Sequence, residues 1–222
     1  MAIRKATVGR RSDKEAERTR RRIISAARRL FATLGFDAVG LRDIASRAKT
    51  THALVRHHFG SKLGIWRAVI EVADAEYVAA LAPLLAAPAT VDVVSEATVF
   101  IVEFVAVSAR FPDFTRLLLH EGASRGPRLT HVMGYLDGAA QRLAPLVSRL
   151  HARGLLLQFD ATSFFHFLLF AGGAPFAMSP LSQLLLGTFS VEAFAARLVA
   201  VLIDNANDPS RPGEHHDGLQ QP

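Results

Sequence analysis

The chain has no cysteine among its 222 residues, which excludes disulfide bridges, Cys-ligated zinc and thiol chemistry. It also lacks the alternation of apolar and polar residues that marks half-buried strands. Apolar residues recur instead at three and four over long windows, the period of an amphipathic helix. The opening MAIRKATVGRRSDKEAERTRRR has no apolar central run of the kind a secretory signal needs, so a cytoplasmic setting is expected. No Gly-rich phosphate loop follows a strand, no metal-ligand spacing occurs, and no Ser or Asp motif pairs with a His. Catalysis, a cofactor and a metal site are therefore not expected, and His215-His216 fits no ligand set. Residues 161–191 contain no Asp, Glu, Lys or Arg. That run holds Gly172, Gly173, Pro175 and Pro180 and has no basic flanks, which argues against a membrane span and for a buried helix or a subunit interface.

Acidic residues are scarce in the first third of the chain. Residues 1–67 carry 17 Lys and Arg against 5 Asp and Glu, a net of +12, whereas residues 68–222 carry 9 against 15, a net of −6. A basic head on an acidic, apolar body is expected when only the head meets a polyanion, because phosphate neutralisation supplies most non-specific DNA affinity. A solvated basic surface without a partner has the same charge count.

The fold class that follows is all-α, with about nine helices: an N-terminal three-helix helix-turn-helix domain and a larger helical body. The division expected is a basic flexible arm at 1–17, a head at 18–67, a body at 68–205 and a polar, Pro- and Gly-rich tail at 206–222. The first strong helix spans about Arg18 to Leu34, with Ile23, Ala27, Leu30, Phe31 and Leu34 on one stripe and Gly35 as its left-handed terminator. The second covers Leu41 to Arg47, with Leu41, Ile44, Ala45 and Ala48 inward. The third runs to Phe59 with Thr51 as N-cap, and Gly60 and Ser61 lead into a long fourth helix. Further helices are expected near 91–109, 112–121, 128–152, 160–178 and 190–205.

In the third helix, Val55 and Phe59 set the buried stripe, so a rotation of about 100° per residue turns His52, Ala53, Arg56 and His57 outward. One small residue among basic and imidazole groups suits a groove of DNA, although short polar faces of this composition are also ordinary surface. Lys62 falls in the first turn of the fourth helix, where the dipole disfavours a cation, and a phosphate beside it would explain the choice.

Residues 18–71 resemble the DNA-binding domain of the tetracycline-repressor (TetR) family. The resemblance rests on the Arg-rich first helix, Leu34-Gly35-Phe36, Asp43-Ile44-Ala45 and His58-Phe59-Gly60-Ser61-Lys62 at their spacing. It implies a homodimer that offers its third helices to a palindromic operator in double-stranded DNA, and the uncharged stretch with the last helix makes about 160–205 the expected interface. The DNA-contacting set it implies includes Thr50, Thr51, His52, Ala53, Arg56 and His57, with Lys62 on a phosphate, and Arg42 and Lys49 are added to it. Three positions depart from the family pattern. Lys49 stands where Gly is usual, Arg56 replaces a frequent Tyr, and Leu54 replaces a small polar residue.

The resemblance further implies that the helices between about 61 and 152 enclose an effector pocket, and their apolar character suggests a small, apolar effector. Glu103, Arg116, His120, His131 and Tyr135 are the polar groups expected to orient it, although each is also an ordinary surface or satisfied core residue. The dimer contacts expected on the last helix are Ala193, Ala196, Val199, Ala200 and Ile203. The function expected is a repressor released from its operator by that effector, with a constitutive DNA-binding dimer as the alternative.

Overall fold

The computed structural model describes residues 3–86, 92–123, 125–188 and 190–204, apart from the side chains of residues 3–12, 186 and 204. All regular structure among them is helical: α1 Ile3–Ala38, α2 Leu41–Arg47, α3 His52–Phe59, α4 Lys62–Leu85, α5 Val93–Arg110, α6 Pro112–Gly122 and α7 Pro127–His151, then α8 Ala161–Phe167, α9 Ala174–Ala177, α10 Ser179–Leu186 and α11 Val191–Val199. Two wider π turns, Leu168–Gly173 and Ala200–Asp204, continue α8 and α11. The expected polar tail lies outside the described residues, as do the side chains of Arg4, Lys5, Arg10 and Arg11.

The structure departs from the expected layout in three places. Within the arm expected at 1–17, the residues from Ile3 onward are already helical and belong to α1. The segment has no Pro and is rich in Lys, Arg, Glu and Ala, and Glu17 pairs with Arg21 one turn on at 3.3 Å. The expected 67/68 division falls inside α4, so head and body share a continuous helix. The uncharged stretch breaks into α8, α9 and α10. Gly172 and Gly173 explain the close packing there, because a Cβ on Gly173 would lie 3.2 Å from Thr115 Oγ1 and one on Gly172 3.4 Å from Phe104 and Leu198. Pro180 then serves in the first turn of α10, where its missing N–H costs nothing. No single described helix is long and apolar enough to cross a membrane, and the one apolar pair, Ala161–Ala177 with Ser179–Leu185, bends by 90°.

A continuous core joins head and body. Ile23, Ala27, Phe31, Ile44, Val55, Ile65, Trp66 and Val69 are fully buried in the head, and Ile70, Ala73, Ile101, Phe104 and Leu143 carry the core on. The first-helix stripe holds except at Leu34, which is 54% exposed in the last turn before Gly35. Gly35 has φ 79° and interrupts α1 where the sequence places its terminator.

The dimer stripe expected on the last helix divides. Val199 and Ile203 pack inside the subunit, where α11 lies along α5, while Ala193 and Ala196 remain exposed. The apolar surface left outside comes instead from Phe170, Met178, Leu181, Leu184, Leu185 and Val201.

Candidate nucleic-acid interface

Helix α2 begins with Gly40 N–H donating to the Asp43 carboxylate at 2.8 Å, which satisfies a backbone donor ahead of the first turn. Ile44, Ala45 and Ala48 then bury its inner side. The turn is closed by Ala48 N–H to Ile44 O at 2.9 Å and Thr50 N–H to Ala45 O at 3.0 Å. Lys49 sits between them at φ 50°, in the left-handed region. The Cβ-bearing residue thus takes a conformation that glycine adopts without strain, and its ammonium is held at the surface.

Thr51 caps α3, its hydroxyl accepting from Leu54 N–H at 3.2 Å. Val55 is fully buried, Phe59 is half-buried with Arg20 against its ring at 5.6 Å, and His58 is half-buried. His52, Ala53, Arg56 and His57 are exposed, as periodicity requires, and so are Arg42, Lys49 and Thr51, with Thr50 half-buried. Leu54 joins this outer face at 42% exposure. Its departure from the family pattern is plain in the sequence, and its outward direction comes from the structure.

Lys62 does not stand free. Its ammonium donates to Phe36 O at 3.0 Å, Asp37 O at 3.4 Å and Val39 O at 3.0 Å, and lies 4.3 Å from the centroid of the Phe36 ring. These carbonyls end α1 and lead into α2. A cation belongs there as firmly as it is out of place at the start of α4, because helix ends leave acceptors unpaired. No local pattern signals a partner 23 to 26 residues upstream, and the ammonium expected beside a phosphate is taken up here by these carbonyls.

A cleft of about 950 Å³ opens beside the turn, between α1 and the end of α2. Lys14, Arg18, Arg21, Arg22 and Arg29 line one wall and Arg47 and Lys49 the other, with Asp13 and Glu17 as the only carboxylates in its lining among the described residues. Of the basic arm expected at the N-terminus, Lys14 is the residue whose side chain is placed at this cleft.

The five expected effector-binding residues are not brought together. Glu103 is exposed on α5, because Phe100, Ile101, Phe104 and Val105 take the buried face. Arg116 and His120 line an open cleft of about 510 Å³, but both are engaged: Arg116 Nε donates to Ala177 O at 2.7 Å, and His120 Nε2 lies 3.2 Å from Ala32 O. His131 packs on Trp66 and Tyr135 with ring centroids 5.6 and 5.4 Å apart. Only Tyr135 borders the central cavity, which measures about 40 Å³ and is lined also by Asp74, Tyr77, Phe100, Leu136 and Arg142. Burial raises the Asp74 carboxyl above the usual range, against the attraction of Arg142. A second space of about 230 Å³ lies between α6, α7 and α8, walled by Leu118, Leu129, Val132, Leu136, Phe165 and Leu169, with Asp137, Thr162 and His166 as polar groups. Asp74, Arg142 and His166 are not singled out by the sequence because periodicity gives which face a residue occupies, not which faces of different helices meet.

The edge where α6 and α7 meet the head carries a tight cluster. Arg128 pairs with Glu121 at 2.8 Å and Asp37 at 3.4 Å, and its guanidinium lies 4.2 Å from the Phe36 centroid.

The sequence model described as bacterial regulatory proteins, tetR family, matches residues 23–69. The chain is 41% identical over 71 residues to the HTH-type transcriptional repressor Rv3405c of Mycobacterium tuberculosis, an alignment covering 32% of this chain and only 38% of that protein. It is 30% identical over 150 residues to the HTH-type transcriptional repressor NicS of Pseudomonas putida, covering 64% of this chain and 67% of that one. Among solved structures, a putative fatty acid metabolism regulator of Clostridium perfringens superposes with a TM-score of 0.69 at 16% identity, over 82% of this chain and 97% of the other. AibR, solved with isovaleryl coenzyme A and operator DNA, gives 0.69 at 18% identity, over 83% and 98%. At such identities the likeness shows the fold.

Proposed function

Because the chain belongs to the TetR family of bacterial regulatory proteins, we propose that it is a transcriptional repressor that binds a palindromic operator as a homodimer and is released by a small, apolar effector. Its relatives are regulators and not enzymes. The observation that carries the reading is the outer face of α3. With Val55 fully buried, His52, Ala53, Leu54, Arg56 and His57 all point outward from a capped helix behind a basic turn. Ala53 allows close approach of the backbone, Arg56 offers a bidentate fork to guanine or phosphate, and Leu54 gives an apolar contact for a thymine methyl.

Two copies are required for a palindrome, and the exposed Phe170, Met178, Leu181, Leu184, Leu185 and Val201 support association through α8 to α11. The 230 Å³ space between α6, α7 and α8 supports an effector smaller than most drug-sized ligands. AibR, of similar fold, was solved with both isovaleryl coenzyme A and operator DNA. The central cavity of about 40 Å³ favours a second reading, a constitutive DNA-binding dimer with a filled body.

Selection of bound sites from random duplex DNA tests the partner and its symmetry together. A palindrome is expected, and Arg56→Ala should weaken binding to it and lower the salt slope by about 0.9 for each phosphate that the guanidinium neutralises. Recovery of no preferred site at physiological salt would refute the repressor reading. Thermal shifts with a panel of small apolar compounds separate the two readings, since only the sensor is stabilised by one.

A further inference from the structure

The cleft between α1 and the turn lies outside the α3 face, and its charges are largely unanswered. Glu17 is engaged with Arg21, while the side chains of Arg18, Arg22, Arg47 and Lys49 make no hydrogen bond or ion pair among the described residues. Arg18 and Arg22 stand one turn apart on α1, a like-charge spacing that disfavours an isolated helix. On the opposite side of the same helix Ile23, Ala27 and Phe31 are fully buried, so the cations form one stripe and do not encircle the helix. From Lys14 to Arg29 that stripe runs roughly 22 Å at 1.5 Å per residue, too long for a single phosphate group to occupy.

The second wall ends at Lys49, and the chain passes from there through Thr50 and Thr51 directly into α3. A polyanion lying in the cleft is therefore continuous with whatever α3 touches. We propose that the cleft seats the phosphodiester backbone of duplex DNA flanking the bases faced by α3, so that each half-site extends beyond the groove that α3 enters. The inference rests on the reading of α3 as the DNA-facing helix. Arginine predominates among the seven cations, and its planar fork matches phosphate oxygens in pairs. An elongated, regularly charged strand fits a stripe of this length, whereas an acidic protein surface would have to supply carboxylates at matching intervals.

The test uses the full chain and a site recovered by selection, prepared as a duplex trimmed to the palindrome and as the same duplex with about ten base pairs of arbitrary sequence on each side. The wild type should bind the flanked duplex about tenfold more tightly, and its salt slope on that duplex should be steeper by about 0.9 for each additional phosphate neutralised. Arg18→Ala/Arg22→Ala should remove most of that difference and shorten the backbone footprint. Both residues are exposed and Ala favours helix, so the far-ultraviolet dichroism and melting of the variant should match the wild type. Equal wild-type affinity for the two duplexes, or a variant that keeps the full flank dependence, would overturn the inference. If Arg56→Ala weakens binding while the cleft variant behaves as wild type, the inference falls and the reading of α3 stands. If no duplex is bound at all, both fall. A cleft that grips an acidic protein would leave flank dependence absent from the start, which also overturns it.

Discussion

Replacing Lys62 by Met separates two roles that the sequence cannot distinguish. The methionine keeps most of the apolar stem and removes the charge. Two carbonyls at 3.0 Å, Phe36 O and Val39 O, are deprived of a charged donor, and Asp37 O at 3.4 Å of a weaker one. Hydrogen bonds to charged groups are worth about 1.5–3 kcal/mol when shielded, and the half-buried setting reduces each short one to roughly 1 kcal/mol. Removal of the ammonium from the Phe36 ring adds about 0.5–1 kcal/mol. Relief of an unfavourable charge at the start of α4 returns a few tenths, leaving a net destabilisation of about 2–3 kcal/mol. For a chain of this size that lowers Tm by roughly 5–10 °C. The assay pairs thermal or urea unfolding with the salt dependence of DNA binding. The melting point should fall while the salt slope stays as in the wild type. An unchanged melting point with a slope smaller by about 0.9 would show that Lys62 neutralises a phosphate, and the internal assignment would be wrong.

Lys49→Gly should relieve the left-handed strain at φ 50° and stabilise the head by up to about 1 kcal/mol in urea unfolding, while weakening DNA binding through removal of the charge. Arg128→Met should destabilise by about 2 kcal/mol, because Glu121, 4% exposed, is left unpaired, and adding Glu121→Gln should restore part of that stability in a double-mutant cycle. Asp74→Asn should raise Tm at pH 7. The folded-state pKa of Asp74 is raised by burial, so ionisation opposes folding, and the penalty is absent below the unfolded pKa and complete above the folded one. The gain should therefore shrink as the pH falls towards 4, and a gain that grows in acid would contradict the assignment.

Much of the head is legible in the sequence because its signals are local. Thr51, Gly60 and Ser61 are caps that act within three or four residues, and Val55 and Phe59 orient α3 by rotation alone. Lys49 is legible only through the family resemblance, in which Gly is usual at that place, because a residue with a Cβ gives no local sign of a left-handed position. The partner of Lys62 is not legible, because the end of α1 meets the start of α4 only after α2 and α3 have folded between them. In the body the helices fall within a few residues of their expected places, yet the expected effector residues scatter. Arg116 and His120 commit their polar atoms to the carbonyls of Ala177 and Ala32, contacts across 61 and 88 residues that no periodicity records. The apolar residues of α11 mislead in the other direction. An apolar stripe looks the same in sequence whether it faces a core or a partner, and Val199 and Ile203 belong to the core.

The contacts at the head-body edge bear on how an effector could act with so small a central cavity. Phe36 stands between the end of α1 and the body, packed on Phe31, edge-on to Trp66 and touched by both Lys62 and Arg128. Arg128 is followed at once by Leu129, which walls the 230 Å³ space, and its partner Glu121 is followed by Gly122 on the facing wall. On the proposed effector reading, a molecule wedged between α6 and α7 bears on the two helix ends that hold Arg128 against the head, with no need to open the centre of the body. The coupling available is bounded by what that contact is worth, because a ligand shifts an equilibrium only by its difference in affinity for the two states. About 2 kcal/mol at Arg128 falls within the 1–3 kcal/mol typical of coupled sites, enough to change operator affinity about thirtyfold. The small central cavity that favours a constitutive dimer is therefore compatible with release by an effector only if the effector enters at the edge where α6 and α7 meet Phe36.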